Sequence, residues 1–405
     1  MNILVFTSLW PSAEQPNFAV FVKHRIAAMS RLDGVNMRVV APVPYFPKKV
    51  QFRNFWPEHW RKAARIPDRE TVAGIETFHP RYLLTPKIGM SLYGRWMAGG
   101  AEAIVRRLSA EQPIDLIDAH YVYPDGYAAT LLAERLNVPV VITARGTDIN
   151  LFSRMPLIRP LIRRALMRAD GVIAVSEALK RRMVELGVEA DKIAVIRNGV
   201  DREVFYPRDR IEMRRKLGLD SESRIIVTAG ALVPLKGINR LIDAMTLMRG
   251  ANAKLYVIGE GPRRAALESR IARRGLVDRV FLTGRRTQSE LAEWYSAADL
   301  FCLASQREGC PNVVIEAMAC GSPVVASDVG GVAELISKPD YGRLVSPPTA
   351  DKFAEAITGA LQANWDRDEI AEAGCARSWS DVANDVVNYY ADRNLKRSND
   401  NAGDH

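Results

Sequence analysis

The chain has 405 residues, 48% of them hydrophobic and 25% charged, and a net charge of +9. This is the make-up of a globular protein with room for two domains, and it excludes disordered and collagen-like classes. No stretch reaches the roughly 18 apolar residues of a membrane span, and four cysteines without metal-site spacing (Cys302, Cys310, Cys320, Cys375) read as reduced thiols of a cytoplasmic protein.

The opening MNILVFTSLWPS lacks a basic flank and a small-residue cleavage site, so it reads as a first buried strand rather than a secretory signal. Further apolar runs follow at 37–42, 114–120, 138–144, 171–176 and 193–197, with helical stretches such as FAVFVKHRIAAMSRL and GYAATLLAERLN between them. Strands without polar alternation, separated by helices, predict a parallel sheet covered on both faces. Near 200–222 the rhythm breaks in NGVDREVFYPRDRIEMRRKLGLDSES, then restarts with RIIVTAGA, AKLYVIGEG, RVFLTG, DLFCLAS, SPVVAS and GRLVS. The fold class is therefore α/β with two Rossmann-like domains, 1–202 and 203–380, and a C-terminal helix with a polar, disordered tail over 381–405. Two such units would present the carboxyl ends of their sheets to a central cleft, where ligands of this architecture bind.

The charge is lopsided. Residues 1–200 carry 28 Lys+Arg against 18 Asp+Glu, and the remainder 28 against 29. An anionic partner for the first half follows: a membrane surface, lipid phosphate or nucleic acid. Two concentrations stand out. In 45–65, Lys48, Lys49, Arg53, Arg61, Lys62 and Arg65 mingle with Tyr45, Phe46, Phe52, Phe55, Trp56 and Trp60, the mixture a membrane interface attracts. Residues 156–168 read instead as a helix packed on the sheet, its arginines solvated.

The most informative segment is REGCPNVVIEAMACGSPVVASDVGGVAELI, 307–336. Glu308 and Gly309 lie in a loop, Pro311 suits a helix start, and Glu316 follows eight residues after Glu308. Free N–H groups near Asn312, Val313 and Val314 could hold a diphosphate, with the two carboxylates placed for hydroxyl-rich groups on either side. For either glutamate alone, a helix-dipole acid or an exposed mid-helix residue is an equally good explanation.

This segment resembles the E-x7-E signature of glycosyltransferase family 4, retaining enzymes of the GT-B fold. The resemblance extends over nearly the whole chain, through FVKHRI, DLIDAHYVYPDG, TARGTDI, VSEALK, IRNGVD, LVPLKG and VIGEGP in the family's order. PNFAVFVKHR with TARGTDIN is similar to transferases of bacterial cell-wall and exopolysaccharide synthesis. The resemblance implies a nucleotide diphosphate sugar as donor, with Glu308 on its sugar, Glu316 on its ribose and Lys236 on its phosphates. It implies that His120, ending the strand IDLIDAH, lies against the transferred sugar. His120, Lys236 and Glu308 are thus the expected catalytic residues. Gly259 and Gly261 would wall the base, and Gly330 and Gly331, before a helix, would offer further backbone N–H groups, although turns explain both pairs equally well.

Three departures from the family pattern matter. Ala231 stands where the family has an arginine, with Arg263, Arg285 and Arg286 as possible substitutes. Arg145 stands in place of a histidine, which suggests an anionic acceptor held bidentately or a pairing with Asp148. Pro16-Asn17-Phe18 replaces a glycine pair, leaving Asn17 as a candidate acceptor contact beside Arg145 and Asp148. Asp125 and Gly126 read as a helix-start turn, and Asn198–Asp201 as a structural hinge. Asp366-Arg367-Asp368 matches a D-x-D metal motif but reads as a solvated helix face, so neither metal nor cofactor is expected. The acceptor implied is lipid-linked or a glycan, at the inner face of the membrane, with no nucleic acid. An epimerase or phosphorylase on the same architecture, or a non-enzymatic binder of anionic polymers, are the rival readings.

Overall fold

The computed structural model describes residues 1–45, 58–85, 89–248 and 252–395. Lys48, Lys49, Arg53, Phe46, Phe52, Phe55 and Trp56 of the basic-aromatic stretch, and the last ten residues, lie outside the described residues. The chain divides into two units, Met1–Asn198 with Trp379–His405, and Gly199–Ser378. The C-terminal helix, set apart in the sequence reading, counts with the first unit.

In the first unit the strands are β1 (Asn2–Phe6), β2 (Asn36–Val40), β3 (Val43–Pro44), β4 (Arg69–Val72), β5 (Ile75–Phe78), β6 (Arg81–Tyr82), β7 (Leu116–His120), β8 (Val140–Ala144), β9 (Gly171–Ala174) and β10 (Ile193–Val195). Eight form one sheet in the order β10-β9-β8-β7-β1-β2-β5-β4, and β3 pairs with β6. Pairing is parallel except at the edge, where β4 runs antiparallel to β5. This corrects the expectation of a purely parallel sheet. The alternating RETV–IETF pattern turns at Ala73-Gly74, both with positive φ, and β4 is half-exposed as an edge strand should be. The core on one face gathers Ile3, Val5, Ile26, Val39, Leu116 and Val141 with Trp379, Val382, Val386 and Tyr390 of the last helix, Trp379–Asp392.

The second unit holds β11 (Arg224–Ala229), β12 (Ala253–Ile258), β13 (Val280–Gly284), β14 (Leu300–Leu303), β15 (Val324–Ser327) and β16 (Gly342–Val345). They form one parallel sheet in the order β13-β12-β11-β14-β15-β16. Period-two geometry sends successive side chains to opposite faces. Ile225 and Val227 accordingly enter one core and Ile226 the other. With a core on each face, a strand can be apolar throughout, and the runs found in the sequence are of this kind.

Candidate active site

In the second unit the chain order reverses direction on either side of β11, so the switch point lies between β11 and β14. Ligands of open α/β sheets bind there, beyond the carboxyl ends of the strands. Two loops flank that point. The first, after β11, carries Lys236 and leads into the helix Ile238–Leu247. The second, after β14, carries Glu308 and leads into the helix Asn312–Ala319.

The loops are fastened to each other. Gln306 donates its backbone N–H to Leu235 O at 2.8 Å, and Arg240 donates to Ala304 O at 3.0 Å. Gly237 has φ +61°, and a Cβ on it would stand 2.0 Å from Ala304 O, so only glycine permits this approach. Held in this way, Lys236 Nζ donates to Glu308 Oε1 at 2.7 Å. Both are mostly buried, at 24% and 12% exposure, so the pair is shielded from solvent screening. Behind Glu308, Gly330 (φ +57°) presses on its carbonyl, and Gly331 donates its N–H to Gly309 O at 3.1 Å. The glycine pair therefore clamps the Glu308–Gly309 main chain, and Gly331 has no N–H left to offer an anion.

No side chain caps the first turn of the helix Asn312–Ala319. Asn312 and Val313 are half-buried there, while Val314 already donates to Pro311 O at 3.0 Å. Glu316 lies one turn further on, half-buried, where burial pushes its carboxyl up to about 7. Its neighbour is the wholly buried Tyr295 hydroxyl, whose pKa that carboxyl helps raise. Nothing in the sequence singled out Tyr295 or Arg240; both are brought in by packing from helix positions without a motif.

Gly259 and Gly261 sit at the end of β12. A Cβ on Gly259 would stand 1.9 Å from Gly230 O, and one on Gly261 2.7 Å from Leu232 O. Close main-chain packing thus accounts for both, and places the end of β12 against the loop that carries Lys236. Ala231 is exposed, as are Arg263 and Arg285. Arg286 lies 3.9 Å from Glu290. Asp366 caps the helix Arg367–Cys375, accepting from the N–H groups of Asp368 and Glu369, which gives the D-x-D match a structural origin.

In the first unit the switch point is at β1/β7, and His120 ends β7 beside Thr143 of β8. The His120 ring is wholly buried. Its Nδ1 accepts from the Arg145 guanidinium. A guanidinium only donates, so the ring proton resides on Nε2, 3.4 Å from Asp118 Oδ2. Burial, with the Arg145 charge, holds His120 down to about 4 against the pull of Asp118. At neutral pH the ring is therefore uncharged. Burial also opposes ionised Asp118, but the adjoining His120 and the Arg25 guanidinium together overcome it and hold the carboxyl below the usual range. Arg25, itself buried, lies 3.5 Å from Asp118 and donates to Thr143 Oγ1 at 2.9 Å and to the Tyr390 hydroxyl at 3.4 Å.

These positions change the reading of three residues. His120 commits Nδ1 to Arg145, while Nε2, 3.4 Å from Asp118, is buried without a hydrogen bond. Arg145 does not pair through its side chain with Asp148. Its guanidinium bonds His120 and Asn198 Oδ1 (3.2 Å) and lies over the Phe21 ring at 5.3 Å. Asp148 is wholly buried and accepts backbone N–H groups from Val122, Arg145, Gly146 and Ile149. It organises the loop and has no surface for an acceptor. Asn17 is exposed. Asp125, read as a turn residue, accepts the Ser8 N–H and ties the loop after β1 to the end of β7. Its carboxyl is raised by burial to about 7.

Residues 209–377 match the family model for glycosyl transferases group 1, and residues 59–204 that for glycosyltransferase family 4. The chain is 31% identical over 360 residues to a putative teichuronic acid biosynthesis glycosyltransferase, TuaC, of Bacillus subtilis, covering 88% of each chain. It is 31% identical to a D-inositol 3-phosphate glycosyltransferase of Jonesia denitrificans over 71% of this chain and 74% of that one. Among solved structures, a sucrose-phosphate synthase from Thermosynechococcus elongatus superposes with a TM-score of 0.78 at 21% identity, covering 96% of this chain and 98% of that one. Anabaena HepE in complex with UDP gives 0.72 at 21%, covering 97% and 100%. The fold is GT-B, and the chain belongs to glycosyltransferase family 4, an enzyme that transfers glycosyl groups.

Proposed function

We propose that the second unit holds a nucleotide diphosphate sugar and that its glycosyl group passes, with retention, to a hydroxyl of a lipid-linked or glycan acceptor received by the first unit. The observation that carries the donor half is the Lys236–Glu308 pair at the β11/β14 switch point, with Glu316 one helix turn beyond. In the free protein the two charges neutralise each other. A bound donor exchanges that pairing: its diphosphate takes the Lys236 ammonium and its sugar hydroxyls take the Glu308 carboxylate. The uncapped turn at Asn312 and Val313 supports the phosphates further, and Glu316 accepts from the ribose. Lys236 then stabilises charge on the departing diphosphate, and no metal ion is required. The family resemblance supports a front-side displacement in which the leaving phosphate takes the acceptor's proton.

In the first unit Arg145, steadied by His120 and Asn198, is the cation placed for an anionic acceptor. The relative from Bacillus, named for teichuronic acid biosynthesis, supports a cell-wall or polysaccharide acceptor, and the excess charge of residues 1–200 supports an anionic membrane surface as a partner. The test is a panel of nucleotide sugars scored by thermal stabilisation, beginning with the UDP sugars, since HepE was solved with UDP. The donor so found is then used for transfer, and the anomeric coupling constant of the product is compared with that of the donor. No stabilisation by any member, or an inverted product, refutes the reading.

A further inference from the structure

We propose that the segment Arg154–Arg168 is the surface by which this chain docks on an anionic lipid bilayer. The inference deepens the membrane partner proposed above and rests on that reading. From Ile149 to Ala169 the chain has five arginines and no carboxylate. The helix Arg159–Arg168 needs only one apolar stripe to pack on its unit, and it has one: Ile158, Ile162, Ala165 and Leu166 are buried. Further apolar side chains point away from the core. Leu157 is 75% exposed, Met167 48% and Met155 39%.

The arginines Arg154, Arg159, Arg163, Arg164 and Arg168 share this outer side and are all exposed. Arg163 donates to Leu186 O at 2.8 Å and Arg168 pairs with Glu134. Among the described residues the guanidinium groups of Arg154, Arg159 and Arg164 meet no side-chain or backbone partner. An open groove of about 510 Å³ runs along the helix, lined by Arg159, Pro160, Arg163, Arg164, Met167 and Arg168. Unpaired cations on apolar stems, with exposed leucine and methionine among them and no carboxylate within the segment itself, fit a headgroup layer over acyl chains. A nucleic acid or acidic glycan would use the cations and leave Leu157 and Met167 wet. The placement serves the reaction as well. The ring of Phe152 meets Tyr121 edge-on at 5.9 Å, so the segment begins beside the strand end that carries His120.

The test is sedimentation of the full chain with phosphatidylcholine vesicles, with and without phosphatidylglycerol. Each basic residue held at an anionic surface raises partitioning about fivefold. Replacing Arg154, Arg159 and Arg164 together by Ser should thus lower binding to anionic vesicles on the order of 10²-fold. Leu157→Ser should lower it as well, and Arg215, Arg273 and Arg274→Ser in the second unit should not. Thermal stabilisation by the nucleotide sugar is the parallel readout. It should be the same in wild type and all these variants, so a failed donor assay counts against the proposed function and not against the docking surface. The proposal is overturned if the wild type ignores anionic vesicles, binds neutral ones equally well, or binds a soluble acidic polysaccharide but no vesicle. Equal losses in the two triple variants, or none in the first, overturn it too.

Discussion

Glu316→Gln should make the protein more stable above neutral pH and unable to hold its donor. Burial lifts the Glu316 carboxyl from an ordinary 4.5 to about 7. Between those values the folded state keeps a proton that the unfolded chain has released. Stability therefore falls as pH rises through that window and levels off above about 7. The full ionisation cost of such a shift is about 3 kcal/mol. Because the residue is only half-buried and the amide must still be solvated, a gain on the order of 1–2 kcal/mol at pH about 8 is the working figure. For a unit of this size, Gly199–Ser378, that corresponds to roughly 2–8 °C in Tm. Near pH 5 the advantage should be almost gone. Donor affinity should show the opposite dependence: if ionised Glu316 accepts from ribose hydroxyls, wild-type binding strengthens as pH rises through about 7 and releases a proton, and the glutamine variant loses both the affinity and its pH dependence. Thermal unfolding at the two pH values, with and without nucleotide sugar, measures all of this. A variant no more stable than wild type at pH 8, or one that binds donor normally, refutes the reasoning.

Lys236→Ala should lower turnover on the order of 10²-fold or more while leaving the thermal transition in place; near-normal turnover of the purified variant would remove Lys236 from the donor site. Transfer should survive chelation, since the ammonium and the helix start neutralise the diphosphate, and loss with EDTA that divalent metal restores would show otherwise. His120 should remain a neutral Nε2–H ring from pH 8 down to about 4, read from its ¹⁵N shifts. Its protonation is disfavoured only in the folded state, so this contribution to stability is lost as pH falls from 6.5 toward 4. Ordinary titration near 6.5 would contradict the buried arrangement.

The strands were legible because both faces of each sheet are covered, which forces apolar runs that no loop would carry. Asn2–Phe6, Leu116–His120 and Val324–Ser327 lie within or close to the stretches read from the sequence. The β4–β5 pair was not, since its alternating acids and threonines read as surface until the turn at Ala73-Gly74 is seen. Spacing brought Glu308 and Glu316 to one helix start. It could not reveal that Lys236 and Glu308 meet across two loops, a contact fixed by Gly237 against Ala304 and Gln306 against Leu235. Glycines were the least legible. Gly259, Gly261, Gly330 and Gly331 looked like ligand-facing turns, and their main chains instead pack on other main chains, which depends on distances between strands and not on any local pattern.

The first unit shows why a catalytic-looking histidine need not be a solvent-facing one. Arg25, Asp118 and His120 are all buried, and a buried ion pair does little for stability because desolvation consumes much of the Coulombic gain. What such a set does well is fix geometry. Asp118 faces Nε2 and Arg145 donates to Nδ1, so the ring has one tautomer and one orientation. Arg145, bonded in turn to that ring and to Asn198, is itself held in place at the strand end. The same chain of contacts reaches the last helix, where the Tyr390 hydroxyl accepts from Arg25. Removing Tyr390 would take an acceptor from the buried Arg25 guanidinium, a cost that falls on the strand ends carrying His120 and Thr143. The C-terminal helix is therefore a wall of the first unit's candidate site, although 180 residues of the other unit separate it from the rest of that unit in sequence.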